Sequence, residues 1–284
     1  MELGPVGIWS IGLRSEDQQA RGEITEAAAE LEELGYGAIW LGGSPGIEHA
    51  VPLIEATSRI VVATGILSIW QYAAEDVAAQ HNALAKSDPG RFLLGLGVSH
   101  GKLVGDDYRR PYGAMMDYLD RLDAAEMPGS ERVIAALGPK MLAASRDRAA
   151  GAHPYLVPPE HTRTAREVLG AGPLLAPEVK VVLDTDTDRA RAIARGHLAM
   201  YLQLPNYTEN LLRLGFAEDD LRDGGSDRLV DSVFALGDLD AVRERVAAHH
   251  EAGADHVTLQ VITADRTQLP RREWRELAAV ARES

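Results

Sequence analysis

Apolar, β-rich runs alternate with stretches of helical spacing along most of the chain. The first run, PVGIWS (5–10), reads as a short strand. From Ala20 to Leu34 apolar residues recur at Ile24, Ala27, Ala28, Leu31 and Leu34, a spacing that lines one face of a helix. Gly35 ends that helix, and AIWLGG (38–43) reads as the next strand. IVVATGILSIW (60–70), with Gly65 inside it, and RFLLGLGVSH (91–100) follow as strands. Between them a helical pattern over 73–87 is broken by Asp88-Pro89-Gly90. RVIAAL (132–137), HPYLV (153–157), VKVVLD (179–184) and HVTLQVI (256–262) bring the strands to eight. Helical patterns at 141–150, 160–169, 188–201 and 239–252 separate these later runs.

One local pattern occurs three times: a helix end with Gly, a short step, then an apolar strand. It appears as ELGYGAIWLGG, RAAGAHPYLV and EAGADHVTLQV. Glycine suits the left-handed position that closes a helix, and a short loop then feeds the strand. Strands alternating with helices in this way predict an α/β fold with a parallel sheet. Two closures compete, a (β/α)8 TIM barrel and an open doubly wound sheet. The length of 284 residues suits a barrel, and no G-x-G-x-x-G turn follows the first strand. A TIM barrel in a single domain spanning 1–284 is therefore expected. Two polar segments interrupt the alternation, at about 101–131 (with one helix, 112–125) and at about 202–237 (irregular, with short helices). Both are expected as insertions at the C-terminal face, where the loops after barrel strands build active sites.

Composition narrows the function classes. A hydrophobic share of 45% predicts a folded core, yet no apolar run approaches the ~18 residues of a membrane span. MELGPVGIWS has no basic, then apolar, leader pattern, so a cytoplasmic protein is expected. The absence of cysteine excludes disulfides, thiol nucleophiles and thiolate metal sites. A net charge of −14 without a basic tract argues against nucleic acid and anionic membrane as partners, which leaves a small molecule. An anionic ligand would need a local seat of backbone amides.

The strand ends predicted to face the barrel mouth are Trp9-Ser10, Leu41 to Ser44, Gly65 to Trp70, Gly97 to His100, Leu137 to Pro139, Tyr155-Leu156 and Gln260-Val261. They are rich in glycine, apolar and aromatic residues and poor in carboxylates. No metal site and no paired-carboxylate hydrolase is expected from them. An apolar, glycine-lined mouth suits a large flat ring. ALGPKM, between the strand VIAAL and the helix MLAASRDRAA, adds a distinct feature. Proline favours the first helical position, and the amides of Gly138, Lys140 and Met141 would then point out of the helix N-terminus as an anion site, with Lys140 adding charge. Ordinary turn chemistry explains Gly138-Pro139 about as well.

Taken together, AALGPKM…DRAAGAHPYLV, TGILSIW, GRFLLGLGVSH, GYGAIWLGGSPG, YRRPYGAMMDYLD, LPNYTENLLRLGF and GGSDRLVD resemble the luciferase-like flavin and deazaflavin superfamily, closest to actinobacterial oxidoreductases assigned to coenzyme F420. The resemblance covers nearly the whole chain. It implies a TIM barrel with the cofactor ring at the C-terminal mouth, and a homodimer. Carried over by motif, Leu137, Gly138, Pro139, Lys140 and Met141 would hold the phosphate. Gly97, Val98, Ser99 and His100 would line the cofactor, and Gly65-Ile66 matches a bulge with a non-prolyl cis peptide behind the ring. Gly42 and Gly43 match the end of the second strand, where sugar-phosphate dehydrogenases of the superfamily place an Asp-His pair. That departure disfavours alcohol oxidation and favours reduction of an activated double bond, the proton coming from solvent or a tyrosine. Alternatives are an FMN-dependent monooxygenase or reductase of the same superfamily, a cofactor-binding barrel without turnover, and an unrelated phosphate-binding barrel.

Other candidates carry bland readings beside the functional ones. His100 is equally a ligand contact or a hydrogen-bonded structural residue. Trp9, Trp40 and Trp70 would wall a ring pocket or fill the core, and Trp40 fits the core. Arg109 and Arg110 fit a solvated loop pair better than a contact to an anionic tail. His81, His249 and His250 read as structural or exposed. Tyr112, Tyr118 and Tyr207 lie in the insertions, where they would line a substrate lid.

Overall fold

The computed structural model describes residues 1–14, 18–265 and 267–283. In chain order the elements are β1 (Val6–Ser10), α1 (Gln18–Leu34), β2 (Ala38–Gly42), α2 (Val51–Glu55), β3 (Val61–Gly65), β4 (Leu67–Ser68), α3 (Ala74–Ser87), β5 (Phe92–Gly97), α4 (Gly101–Val104) and α5 (Pro111–Ala124). There follow β6 (Arg132–Ile134), α6 (Pro139–Arg148), β7 (Gly151–Ala152), α7 (Pro159–Leu169), β8 (Leu174–Leu175), β9 (Glu178–Leu183), α8 (Thr187–Tyr201), α9 (Pro205–Arg213), α10 (Asp227–Val233), β10 (Phe234–Gly237), α11 (Leu239–Glu251), β11 (Val257–Val261) and α12 (Arg271–Glu283).

All recorded strand pairs are parallel, in the order β10-β9-β11-β1-β2-β3-β5-β6-β7-β8. The sheet curls until its ends meet in the segment 174–183. On one edge of that segment the amides of Leu174, Ala176 and Glu178 donate to Ala150, Ala152 and Pro154 at 2.7–2.9 Å. On the other edge Thr258 N donates to Pro177 O at 3.0 Å, and β11 continues alongside β9. This is the TIM-barrel architecture expected from the alternation of strands and helices.

Both faces of the strands are buried, as parallel strands require. Ile8, Ile39, Leu41, Val62, Leu94, Leu96 and Ile134 point outward into the layer packed with the helices. Trp9, Ala38, Trp40, Val61, Ala63, Leu93 and Val133 point inward. The interior residues alternate small and large, so Trp40 fills the lower barrel. It stacks on His153 with ring centroids 4.3 Å apart, and its indole N–H donates to His256 Nε2 at 3.1 Å.

The structure departs from the sequence pattern in four places. HPYLV is not a strand; the ladder strand is Gly151–Ala152. His153 N still donates to Ile134 O at 3.0 Å, but Pro154 has no N–H and Leu156 turns into the left-handed region (φ 56°). The second insertion does not run to 237: Phe234–Gly237 is a strand paired with β9, hidden because it follows α10 without a turn residue. β6 stops at Ile134, three residues short of the predicted end. The C-terminal helix Arg271–Glu283 was not anticipated.

Candidate functional site

The mouth is organised around Trp9. Its indole N–H donates to Gly65 O at 2.9 Å, tying the end of β1 to the end of β3. A Cβ on Gly42 would stand 2.3 Å from a ring carbon of Trp9, and one on Gly43 2.6 Å from Arg14 Nη2. The two glycines are thus seats for Trp9 and Arg14, which gives them a packing role that the sequence did not show. The peptide between Gly65 and Ile66 is cis. Ile66 lies against Gly97, where a Cβ would meet Ile66 Cδ1 at 2.5 Å, so its side chain spreads flat over the glycine at the end of β5. Beyond it, Val98 O accepts the Trp70 indole N–H at 2.6 Å. Trp70 in turn packs on Tyr108 of the first insertion, centroids 5.8 Å apart.

Three non-glycine residues adopt left-handed backbone where strands leave the barrel: Ser44 after β2 (φ 58°), Ser99 after β5 (φ 54°) and Leu156 after β7 (φ 56°). Such residues gather at sites that the surrounding structure over-determines. Leu156 is held by its amide, which donates to Glu178 Oε2 at 3.2 Å.

The second insertion supplies the cover. α9 crosses the mouth, with Asn206 and Tyr207 facing β5 and Arg213 reaching α6. His100 Nδ1 meets Asn206 Oδ1 at 2.9 Å, and its ring packs on Tyr207 with centroids 5.3 Å apart. Burial holds the half-buried His100 below the usual histidine pKa, partly offset by the Asn206 bond. Tyr207 also packs on Tyr155 and Tyr201, and Tyr155 on Trp9. The Tyr155 hydroxyl donates to Gln260 Oε1 at 2.7 Å and shares a 2.8 Å bond with the Tyr201 hydroxyl. An aromatic wall thus runs from β1 to β5 under α9.

Beneath it lies a fully buried ion pair. Lys180 Nζ donates to both Glu178 oxygens, at 2.9 and 2.7 Å, and sits 3.6 Å from the Tyr155 ring centroid. Burial lowers the Lys180 pKa to about 8 and raises that of Glu178, the pairing opposing both shifts. The sequence carried a signal for this pair, since charges two residues apart on an otherwise apolar strand share one face. Tyr155 and Gln260 were placed at the mouth by their strand ends, whereas Tyr201, Asn206 and Arg213 carried no signal, because the fold alone brings them there.

At α6, Gly138 caps the helix and Pro139 occupies its first turn. Met141, expected to offer an outward amide, instead donates to Gly138 O at 3.1 Å, as Leu142 does at 3.0 Å. The helix leaves the amides of Gly138 and Lys140 without a partner of its own, Pro139 having none to offer. The point where a Cβ on Gly138 would stand has only Arg213 Nη2 near it, at 3.9 Å. Pro139 and Lys140 are exposed, and Leu137 O accepts His161 Nε2 at 2.9 Å. An anion at Gly138 would therefore find backbone amides, a helix dipole and the Arg213 guanidinium.

The remaining candidates lie elsewhere. Arg109 is exposed, its Nε donating to Asp106 O, and Arg110 is an exposed residue before α5. Tyr112 is exposed and Tyr118 is buried beside α3. His81 and His249 are buried between elements, His81 Nε2 lying 3.3 Å from Glu131. A cavity of about 390 Å³ opens between α8 and α11, lined by Asp184, Arg191, Asp231, Leu236, Glu244 and Arg245. It shares no residue with the mouth, and the convergence of strand ends, not cavity size, locates the site. Among the described residues no helix is long and apolar enough to cross a membrane, and no His, Asp and Glu group is placed to hold a metal ion.

Comparison with known proteins agrees with this architecture. Residues 1–127 match the family model described as luciferase-like monooxygenase. A putative coenzyme F420-dependent oxidoreductase of Mycobacterium tuberculosis is 22% identical, with 99% of each chain covered. An F420-dependent secondary alcohol dehydrogenase, solved with an F420-acetone adduct, superposes with a TM-score of 0.74 at 13% identity, covering 99% of this chain and 98% of that one. The FMN-bound oxygenating component of 3,6-diketocamphane monooxygenase from Pseudomonas putida gives 0.66 at 17% identity, covering 100% and 97%. The chain thus matches the luciferase-like model over residues 1–127 and shares its fold along its whole length with these solved structures.

Proposed function

We propose that this chain is a two-electron oxidoreductase that seats coenzyme F420 at the barrel mouth and exchanges hydride between its deazaflavin ring and a small organic substrate. The observation that carries this reading is the pairing, in one mouth, of an anion seat at Gly138 and Arg213 with a flat apolar surface at Ile66 and Gly97. The F420 relative and the F420-bound alcohol dehydrogenase support the choice of cofactor. When bound, the deazaflavin would supply the hydride chemistry, and the protein supplies position and a dry site. Leu137 to Lys140 would hold the phosphate, Gly65, Ile66 and Gly97 to His100 would back the ring, and Trp9, Tyr155 and Tyr207 exclude water. Gly42 lies under Trp9, so the end of β2 offers no acid-base side chain, which favours reduction of an activated double bond. The same resemblance points to a homodimer.

An FMN enzyme is the second reading, favoured by the FMN-bound neighbour of the same fold. Titration of the purified protein with both cofactors, followed by fluorescence, separates the two. Deazaflavin binding is expected, weakened at least about 100-fold in Gly138→Asp by charge repulsion at the phosphate. The space around Gly138 accepts the new side chain, so the melting temperature should hold. Tight FMN binding without deazaflavin binding, or unchanged affinity in Gly138→Asp, overturns the proposal. Bound cofactor that no enone substrate reoxidises would mark a barrel without turnover.

A further inference from the structure

We infer that His100 is the group that exchanges the substrate's proton, and that Asn206 of α9 positions it by fixing its tautomer. This rests on the deazaflavin reading above and deepens it by naming the chain's own acid-base residue. With β2 ending in glycines, the imidazole placed at the mouth stands on a different strand end, immediately after Gly97-Val98-Ser99. The left-handed turn at Ser99 sets its course (φ 54°). Asn206 Oδ1 can only accept, so this 2.9 Å contact assigns the hydrogen to His100 Nδ1. In the neutral ring Nε2 is then the basic nitrogen, and no protein partner occupies it among the described residues. Tyr207 packs against the ring and limits its rotation. Asn206 and Tyr207 both lie on α9, so the helix that covers the mouth also orients the base.

The assignment implies a substrate with an oxygen conjugated to the reacting carbon, such as an α,β-unsaturated carbonyl. In the reductive direction the double bond gains a hydride from the reduced deazaflavin at its β-carbon. The electron pair moves to the carbonyl oxygen, which takes a proton from Nε2 of the imidazolium. His100 returns to the neutral Nδ1–H form and is reprotonated by solvent. Substrate gains two electrons and two hydrogens: one hydride, which carries both electrons, from the reduced cofactor, and one proton from solvent by way of His100.

The test has a spectroscopic and a kinetic arm. Long-range proton–nitrogen NMR on 15N-histidine protein without cofactor, with His100 assigned by its loss in His100→Phe, should show an Nδ1–H tautomer above neutral pH. Asn206→Asp keeps an acceptor and should preserve that tautomer, whereas Asn206→Leu should yield a mixture. In stopped flow, enone-driven reoxidation of the reduced, F420-loaded enzyme should fall about 100-fold in His100→Phe, within the usual range for losing a general acid. The variant should still bind the deazaflavin, and its affinity, measured in parallel, sets the concentration at which reoxidation is read on loaded enzyme. An Nε2–H tautomer in the wild type, or a tautomer indifferent to Asn206→Leu, overturns the inference. Deazaflavin binding with normal reoxidation in His100→Phe overturns it alone, whereas no deazaflavin binding at all overturns both proposals.

Discussion

Trp9 donates its indole N–H to the carbonyl of Gly65 at 2.9 Å, and its ring fills the space that any side chain on Gly42 would need. One aromatic residue therefore links the ends of three neighbouring strands, β1, β2 and β3, at the mouth. The absence of an Asp-His pair at the end of β2 follows sterically, because a side chain on Gly42 would enter the indole and one on Gly43 the Arg14 guanidinium.

Gly42→Ala puts this relationship to the test. The new Cβ would fall 2.3 Å from a Trp9 ring carbon, and the ring is nearly wholly buried with its N–H already committed. Overpacking of this kind costs about 1–3 kcal/mol. Urea unfolding should show that loss, with a shift in tryptophan emission as Trp9 is displaced. A variant as stable as the wild type, with unchanged emission, would mean that the ring does not occupy the Gly42 site.

Much of the barrel was legible because local rules and the fold agree. Ile39 and Leu41 alternate with Ala38 and Trp40 around β2, and Gly35 with φ 98° closes α1 as its position predicts. The misses fall where local signals weaken. Phe234–Gly237 becomes a strand only because the edge of β9 is free beside it. Pro154 ends a ladder that composition would have continued. At the site, glycines and His100 stood out by their place at strand ends. Tyr155, Tyr201 and Gln260 sit 46 to 105 residues apart in sequence, and only the fold makes them one hydrogen-bonded group.

Lys180→Met tests the buried pair below that group. Glu178 would keep its burial and lose its cation, and breaking such a pair from one side typically costs about 3–5 kcal/mol. The double variant Lys180→Met/Glu178→Gln removes both charges and should recover most of that loss. Chemical denaturation of the wild type, both single variants and the double variant gives the coupling directly. Additive single losses would show that the two groups do not share a charge interaction in the folded barrel.

Three buried histidines should set the acid limit of the fold. Burial lowers His153 and His256 to about 4 and His249 to about 3. His256 is locked neutral from both sides: Nδ1 bonds Gly4 O at 2.7 Å, and Nε2 accepts the Trp40 indole at 3.1 Å. Since the folded values lie below the unfolded value of about 6.5, the unfolded chain takes up protons first as pH falls. The stabilisation is complete above about pH 6.5 and is withdrawn progressively towards pH 4, each group removing on the order of 1–3 kcal/mol. Carboxylates act lower: Glu32 is held at about 2 because, against the opposing effect of burial, the amides of Ile60, Arg59 and Ser58 bond its charged form. Between pH 6.5 and 4.5 the melting temperature should therefore fall through these histidines. His256→Gln should be less stable than the wild type at pH 7 and lose less on acidification. A melting temperature that stays level from pH 7 to 4.5 would show that these rings do not remain neutral and buried in the folded protein.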